Sequence, residues 1–241
     1  MVKIMHTYFP KRGQPSLSFE VRKGVFHPTD TSDILIEACR RAISAPKKIL
    51  DLGCGCGVVG ITLAKMGLCK GPVFASDLSG EAVELARKNA ERMSIEYIAR
   101  QGSLFDPWKD EKFDIIVDDV AGISDEIAGI SPWYPDGVPC DAGQDGIKWI
   151  VRVIEQSRDH LTDGGALIFP VLSLSNESMI IKALNEFFPC HEILLKKDWF
   201  LPDEMGGRTD ILLPLIKGGS ISCQKKYGKW IWHTHVYKAN K

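Results

Sequence analysis

The 241-residue sequence predicts an α/β fold: a doubly wound, mostly parallel sheet of seven strands, with an N-terminal β-hairpin and a terminal antiparallel hairpin. Three observations carry this. Short apolar runs that end in an acid alternate with stretches of helical periodicity. A glycine-rich turn, Gly53-Cys54-Gly55-Cys56-Gly57, joins one such run to a helix. The chain is 44% apolar, enough for one well-buried core, so residues 1–241 read as a single domain.

The elements follow in order. Within residues 1–31, Ser16 to Val21 alternates, Arg22-Lys23-Gly24 turns and Val25-Phe26 resumes, which predicts a hairpin followed by a lead-in segment. Pro28 to Ser32 offers N-cap oxygens to a helix whose buried face carries Ile34, Leu35, Ala38, Cys39, Ala42 and Ile43. Pro46 ends that helix before the strand Ile49-Leu50-Asp51. A second helix spans Val58 to Met66, and Val73 to Asp77 is the next strand. Ser79 caps a third helix running through Met93, and a strand around Tyr97-Ile98-Ala99 leads to Gly102-Ser103-Leu104-Phe105. Phe113 to Val117 is apolar but for Asp114, as in a parallel sheet covered on both faces, and ends at Asp118-Asp119. Residues 120–144 form a long loop of Gly, Pro and aromatics, a length that marks functional loops. A helix from about Asp145 to Leu161, a strand Ala166 to Phe169 and a helix capped by Asn176 come next. Glu192 to Leu195, Ile211 to Leu213 and Trp230 to Val236 read as strands.

Composition excludes several classes. A net charge of −1 gives no global field toward nucleic acid or membrane. No run of eighteen apolar residues exists, and Met1 to His6 lacks the apolar core of a signal peptide, so a cytoplasmic protein away from membranes is expected. The seven cysteines include no C-x-x-C pair, which fits reduced thiols and no zinc cluster. His233 and His235 share one strand face and read as surface or structural residues, so no metal is expected. The basic tail (Lys225, Lys226, Lys229, Lys238, Lys241) reads as a solvated strand face.

The glycine turn lets backbone approach a ligand closely, because glycine has no side chain and reaches positive φ. Asp77 ends the second central strand, roughly twenty residues after the turn, where a ribose-binding acid stands. The form Asp-x-Gly-x-Gly-x-Gly, from Asp51 to Gly57, resembles motif I of class I S-adenosylmethionine (SAM) methyltransferases. The resemblance implies a Rossmann-like methyltransferase fold with SAM as cofactor. It implies that Asp51, Gly53, Gly55 and Gly57 line the methionine part and that Asp77 holds the ribose hydroxyls. Leu78, Ser103, Leu104 and Asp119 join the cofactor-binding set.

A narrower resemblance covers roughly Ser18 to Val171. Phe19-Glu20-Val21, Gly24-Val25-Phe26, Pro28 with Ser32, Gly102 to Phe105, Ala142 to Ile147 and Leu161 to Gly165 are similar to the release-factor glutamine methyltransferase (HemK) family. The resemblance implies that a hydroxyl of Thr31 or Ser32 reaches the SAM carboxylate and that Phe26 packs over the pocket. The family's Asn-Pro-Pro-Tyr, which holds the acceptor nitrogen, is replaced here by Asp119-Val120-Ala121-Gly122. The carboxylate suits an acceptor with protons to give. The expectation is a SAM-dependent methyltransferase acting on a small-molecule amine or hydroxyl, with Asp119 and Asp118 catalytic and Trp133 and Tyr134 binding the substrate. Alternatives are a protein (glutamine) or RNA methyltransferase, and a SAM-binding protein without methyl transfer.

Overall fold

The computed structural model describes residues 4–9, 15–134, 138 and 140–241. Parts of the expected 1–31 and 120–144 segments (residues 1–3, 10–14, 135–137 and 139) lie outside the described residues.

The chain begins with β1 (Ile4–Tyr8) and β2 (Leu17–Val21), then α1 (Asp30–Ala42), β3 (Ile49–Leu52), α2 (Val58–Lys65), β4 (Val73–Asp77), α3 (Gly80–Arg92) and β5 (Tyr97–Gln101). Next come β6 (Phe113–Asp118), the short α4 (Asp125–Gly129), α5 (Lys148–His160), β7 (Leu161–Leu172), α6 (Glu177–Phe187) and β8 (His191–Phe200). The chain closes with α7 (Asp203–Gly206), α8 (Thr209–Gly218), β9 (Gln224–Lys226) and β10 (Lys229–Asn240). The central sheet runs β5-β4-β3-β6-β7-β10-β8, and β9 adds an eighth strand beside β10. The first five of these strands pair in parallel. Strand β10 is antiparallel to β7, β8 and β9. The order reverses at β3 and β6, so their carboxyl ends flank the crevice where open α/β sheets bind ligands.

Side-chain alternation along β6 decides the two layers. Ile115 and Val117 join a cluster with Leu35, Ile36, Val59 and Ile61 of α1 and α2. Ile116 joins the opposite cluster with Ile150, Val153 and Ile154 of α5 and Leu184 of α6. A third cluster, with Ile127, Met205, Leu212, Leu215 and Trp232, packs α7 and α8 against α4 beyond the end of the sheet. Caps agree with the sequence: Thr29, Ser79 and Asn176 each accept a backbone N–H in the first turn of α1, α3 and α6.

Three expectations are corrected. Strand β2 pairs with Ile4–Tyr8 and not with Val25-Phe26. Val25 N–H donates to Arg22 O at 3.2 Å, closing a turn with Gly24 at φ 86°, after which the chain leads into α1 rather than back along β2. Ile211 to Leu213 is helical, because Leu212 and Leu215 are buried while Leu213 is 53% exposed, a helical rather than alternating pattern. Helix α5 starts at Lys148, since Gly143 and Gly146 adopt φ 88° and 71° and end the preceding loop in left-handed turns.

Candidate active site

A cavity of about 590 Å³ opens at the carboxyl ends of β3, β4 and β6. Its floor is the glycine turn. Gly53 and Gly55 take φ 67° and 52°, conformations that disfavour other residues. A Cβ on Gly53 would meet Val120 Cγ1 at 2.9 Å, so glycine is what allows β3 and the post-β6 chain to close together. At Gly55 the nearest atom to such a Cβ is Phe26 O at 3.8 Å, so its backbone faces open cavity.

Asp77 ends β4 at the cavity wall. Its Oδ2 accepts from Gly55 N–H at 2.9 Å and its Oδ1 accepts from Ser79 N–H at 2.8 Å. Burial raises its pKa above the ordinary carboxylate value, against the lowering by these two N–H groups. Each oxygen keeps a lone pair for a further donor. Leu78, Ser103 and Leu104 line the same side. Leu104 holds φ 46° without being glycine, and its carbonyl accepts from Ser76 Oγ at 2.8 Å. Such an outlier persists where surroundings over-determine it, and here it sits at the cavity edge.

Asp119 follows β6 and lines the cavity. Its N–H donates to Leu52 O at 3.1 Å, continuing the β3–β6 pairing one step past Asp118. Its Oδ2 accepts from Ser32 Oγ at 2.8 Å. Burial pushes its pKa up to about 6, and the Ser32 hydroxyl opposes that rise. Thr31, Ser32 and Phe26 all line the cavity, and Phe26 packs on Tyr134 with ring centroids 5.0 Å apart. Trp133 lies 5.4 Å from Trp232, which lies 6.1 Å from Trp199.

The remaining expected residues stand elsewhere. Asp51 is fully buried and does not line the cavity; its Oδ2 accepts from Gly60 N–H at 3.0 Å and Tyr97 Oη at 3.2 Å. It braces the turn from below. Gly57 caps α2 at φ 85°, and a Cβ there would meet Ile61 Cδ1 at 2.7 Å and Ala86 Cβ of α3 at 3.3 Å, so it serves the packing of α2 against α3. Asp118 is also buried away from the cavity, and its Oδ1 accepts from Val120 N–H at 3.3 Å. In this structure it shapes the turn after β6, because strand alternation sends its side chain to the Ile116 side of the sheet rather than into the cavity. Sequence reasoning missed Ser76, Trp149, Trp199, Phe200 and Trp232, which also line the cavity. The signal available was the cluster of aromatics in the C-terminal strands.

The residues present fit SAM. The glycine floor leaves room where a Cβ would stand, and Asp77 presents free carboxylate lone pairs at a strand end. Among the described residues no helix is long and apolar enough to cross a membrane.

Comparison with known proteins agrees. The family model of the Methyltransferase small domain matches residues 16–119. A release factor glutamine methyltransferase of Clostridium acetobutylicum is 30% identical over 213 residues, covering 84% of this chain and 71% of that protein. One from Geobacter sulfurreducens is 30% identical over 156 residues, where the match spans 63% of this chain and only 55% of the relative. Among solved structures, a Thermus thermophilus 16S rRNA N2 G1207 methyltransferase in complex with AdoMet and guanosine superposes with a TM-score of 0.60 at 16% identity, over 100% of this chain and 51% of that one. A ribosomal protein L11 methylase from Lactobacillus delbrueckii gives 0.55 at 21% identity, over 88% and 80%. These two show the shared fold. The curated relatives are named for a protein substrate, a release factor, which overturns the small-molecule acceptor expected from the altered motif. The chain belongs to the release factor glutamine methyltransferase family and is a class I SAM-dependent methyltransferase.

Proposed function

We propose that this chain methylates a side-chain nitrogen of a protein. The observation that carries the reading is Asp119, which follows β6 without a gap and lines the cavity where the family's acceptor-holding Asn belongs. The relatives' protein substrate supplies the acceptor class.

When bound, SAM supplies a methyl group activated by its sulfonium, so alignment matters more than strong acid–base power. Asp77 would hold the ribose hydroxyls, the Gly53–Gly55 backbone would lie against the methionine part, and a hydroxyl of Thr31 or Ser32 would reach the carboxylate. Leu78, Ser103 and Leu104 line the adenosine side. Asp119 accepts a hydrogen bond from the acceptor N–H and orients the nitrogen lone pair toward the methyl group. Phe26, Trp133 and Tyr134 cover the site and exclude water. The proton lost from the nitrogen goes to Asp119 or to solvent.

The test is incubation with methyl-labelled SAM, a purified release factor and total protein from a cell extract, followed by peptide mass spectrometry. Label on a glutamine, lysine or arginine side-chain nitrogen of a protein supports the reading; label on an N-terminal nitrogen alone counts against it. Label confined to RNA or to the small-molecule fraction sinks it.

A further inference from the structure

The face of β10 away from the cavity carries a group that methyl transfer does not use. Strand alternation sends Trp232 to the cavity and His233 and His235 to the other side. Their rings stack with centroids 4.2 Å apart. Helix α6 starts against them and places Glu177 in its first turn. His233 Nε2 lies 2.9 Å from Glu177 Oε1, and His235 Nδ1 lies 3.7 Å from the same oxygen. One ligand atom from each of the three residues falls within 4.8 Å of the others.

We propose that Glu177, His233 and His235 bind a divalent transition-metal ion of the zinc type, at a site separate from the methyl-transfer cavity. A tetrahedral ion with metal–nitrogen and metal–oxygen distances of about 2.0–2.1 Å needs ligand atoms about 3.3 Å apart. The two separations to Glu177 bracket that spacing and the two imidazole nitrogens lie within 4.8 Å of each other, so ring rotations bring the three donors onto one ion. Two imidazoles and one carboxylate are a donor set for borderline cations rather than for calcium or magnesium. The side chains of Glu177, His233 and His235 are 22%, 26% and 20% exposed, so water completes the shell. The backbone is fixed: His233 N–H donates to Ser173 Oγ at 2.9 Å and Ser173 N–H donates to His233 O at 2.9 Å, tying β10 to the end of β7. Across β8, Asp198 pairs with His233 and Lys196 with His235, so their charges cancel and Glu177 supplies the site's negative charge. On binding, the hydrogen shared by His233 Nε2 and Glu177 leaves for solvent or moves to Nδ1, and both lone pairs turn onto the ion. The ion then clasps α6 to β10 behind the strand that presents Trp232.

The test uses the full chain, stripped with chelator, kept reduced and titrated with Co²⁺, then with competing Zn²⁺. The expected result is one ion per chain with weak visible absorption and no intense thiolate charge-transfer band. His235→Ala and Glu177→Gln each weaken binding by about tenfold or more. Zn²⁺ raises the melting temperature of the parent and not of the variants. The S-adenosylhomocysteine-induced shift in melting temperature reports whether each variant is folded; if His235→Ala is not, Glu177→Gln decides. Binding unchanged in the folded variants, thiolate bands, or no binding at millimolar metal overturns the site.

Discussion

Ser32 Oγ donates to Asp119 Oδ2 at 2.8 Å, joining the first turn of α1 to the end of β6 across 87 residues of sequence. The lead-in segment and the acceptor strand therefore share one hydrogen bond at the cavity wall. A serine hydroxyl carries one proton, so while Ser32 gives it to Asp119 the neighbouring Thr31 hydroxyl, which also lines the cavity, is the donor left for the SAM carboxylate.

Asp119→Ala is expected to keep cofactor affinity within about threefold and to lower turnover about a hundredfold or more, as for a group acting at the reacting centre. Asp119→Asn is expected to be nearly as damaging where charge matters. In the parent, kcat rises with pH through about 6, as the carboxyl with its raised pKa ionises, and this limb is absent in Asp119→Asn. Steady-state kinetics from pH 5 to 8 on the methylated protein checks both. Equal turnover of parent and variants would leave Asp119 a turn residue.

S-adenosylhomocysteine is expected to raise the melting temperature by mass action. Asp77→Ala removes the carboxylate that accepts from Gly55 and Ser79 and faces the cavity, and is expected to weaken cofactor binding about tenfold or more. Calorimetry with millimolar S-adenosylhomocysteine measures it; parent-like affinity in the variant would move the ribose site elsewhere.

The parallel half of the fold was legible because each strand carries a short apolar stretch, such as Ile49-Leu50, Val73-Phe74-Ala75 and Ile115-Ile116-Val117, bounded by turn residues or an acid. The half after Phe169 was less so. Ile211-Ile216 contains a run too short for periodicity to separate strand from helix, and its burial against α4 is set by residues more than eighty positions away. Asp77 and Asp119 were legible from strand ends. Asp51 and Asp118 looked equivalent in sequence, and only the side of the strand on which each carboxylate falls separates them. The shared strand face of His233 and His235 was legible, but their partner Glu177 was not, because it comes from a helix 56 residues earlier.

Asp51 gives a pH dependence of stability. Burial pushes its pKa up to about 7 in the folded chain, against the Gly60 and Tyr97 hydrogen bonds, and Asp119 adds to the rise. Unfolded, an aspartate titrates near 4. Between those values the folded state binds more protons, so stability falls as pH rises from about 4 to about 7. Asp51→Asn keeps an acceptor for Gly60 N–H and removes the titration. Urea midpoints of the cofactor-free protein are expected to fall from pH 5 to pH 8 more steeply in the parent than in the variant. Parallel slopes would mean that Asp51 stays ionised throughout.

Phe200 tests the acceptor side of the cavity. It ends β8, lines the cavity and is 57% exposed, with Lys229 Nζ 6.0 Å from its ring centroid, so its free face is open to an acceptor. The residue after it, Leu201, is buried, and Leu201 N–H donates to Trp230 O at 2.9 Å, so the backbone that carries Phe200 is fixed. Its neighbour Trp199 stands near Trp232 and donates from Nε1 to Thr234 Oγ1 at 3.1 Å, which holds the aromatic wall in place. Phe200 is remote from the glycine floor in sequence and belongs to the strand system that follows the cofactor half. Phe200→Ala is therefore expected to leave the melting temperature and S-adenosylhomocysteine affinity near those of the parent, because little buried surface is lost. The KM for the protein acceptor is expected to rise several-fold with kcat little changed, the signature of lost ground-state contact. A variant with parent KM and a weakened cofactor would place Phe200 on the SAM side of the cavity instead.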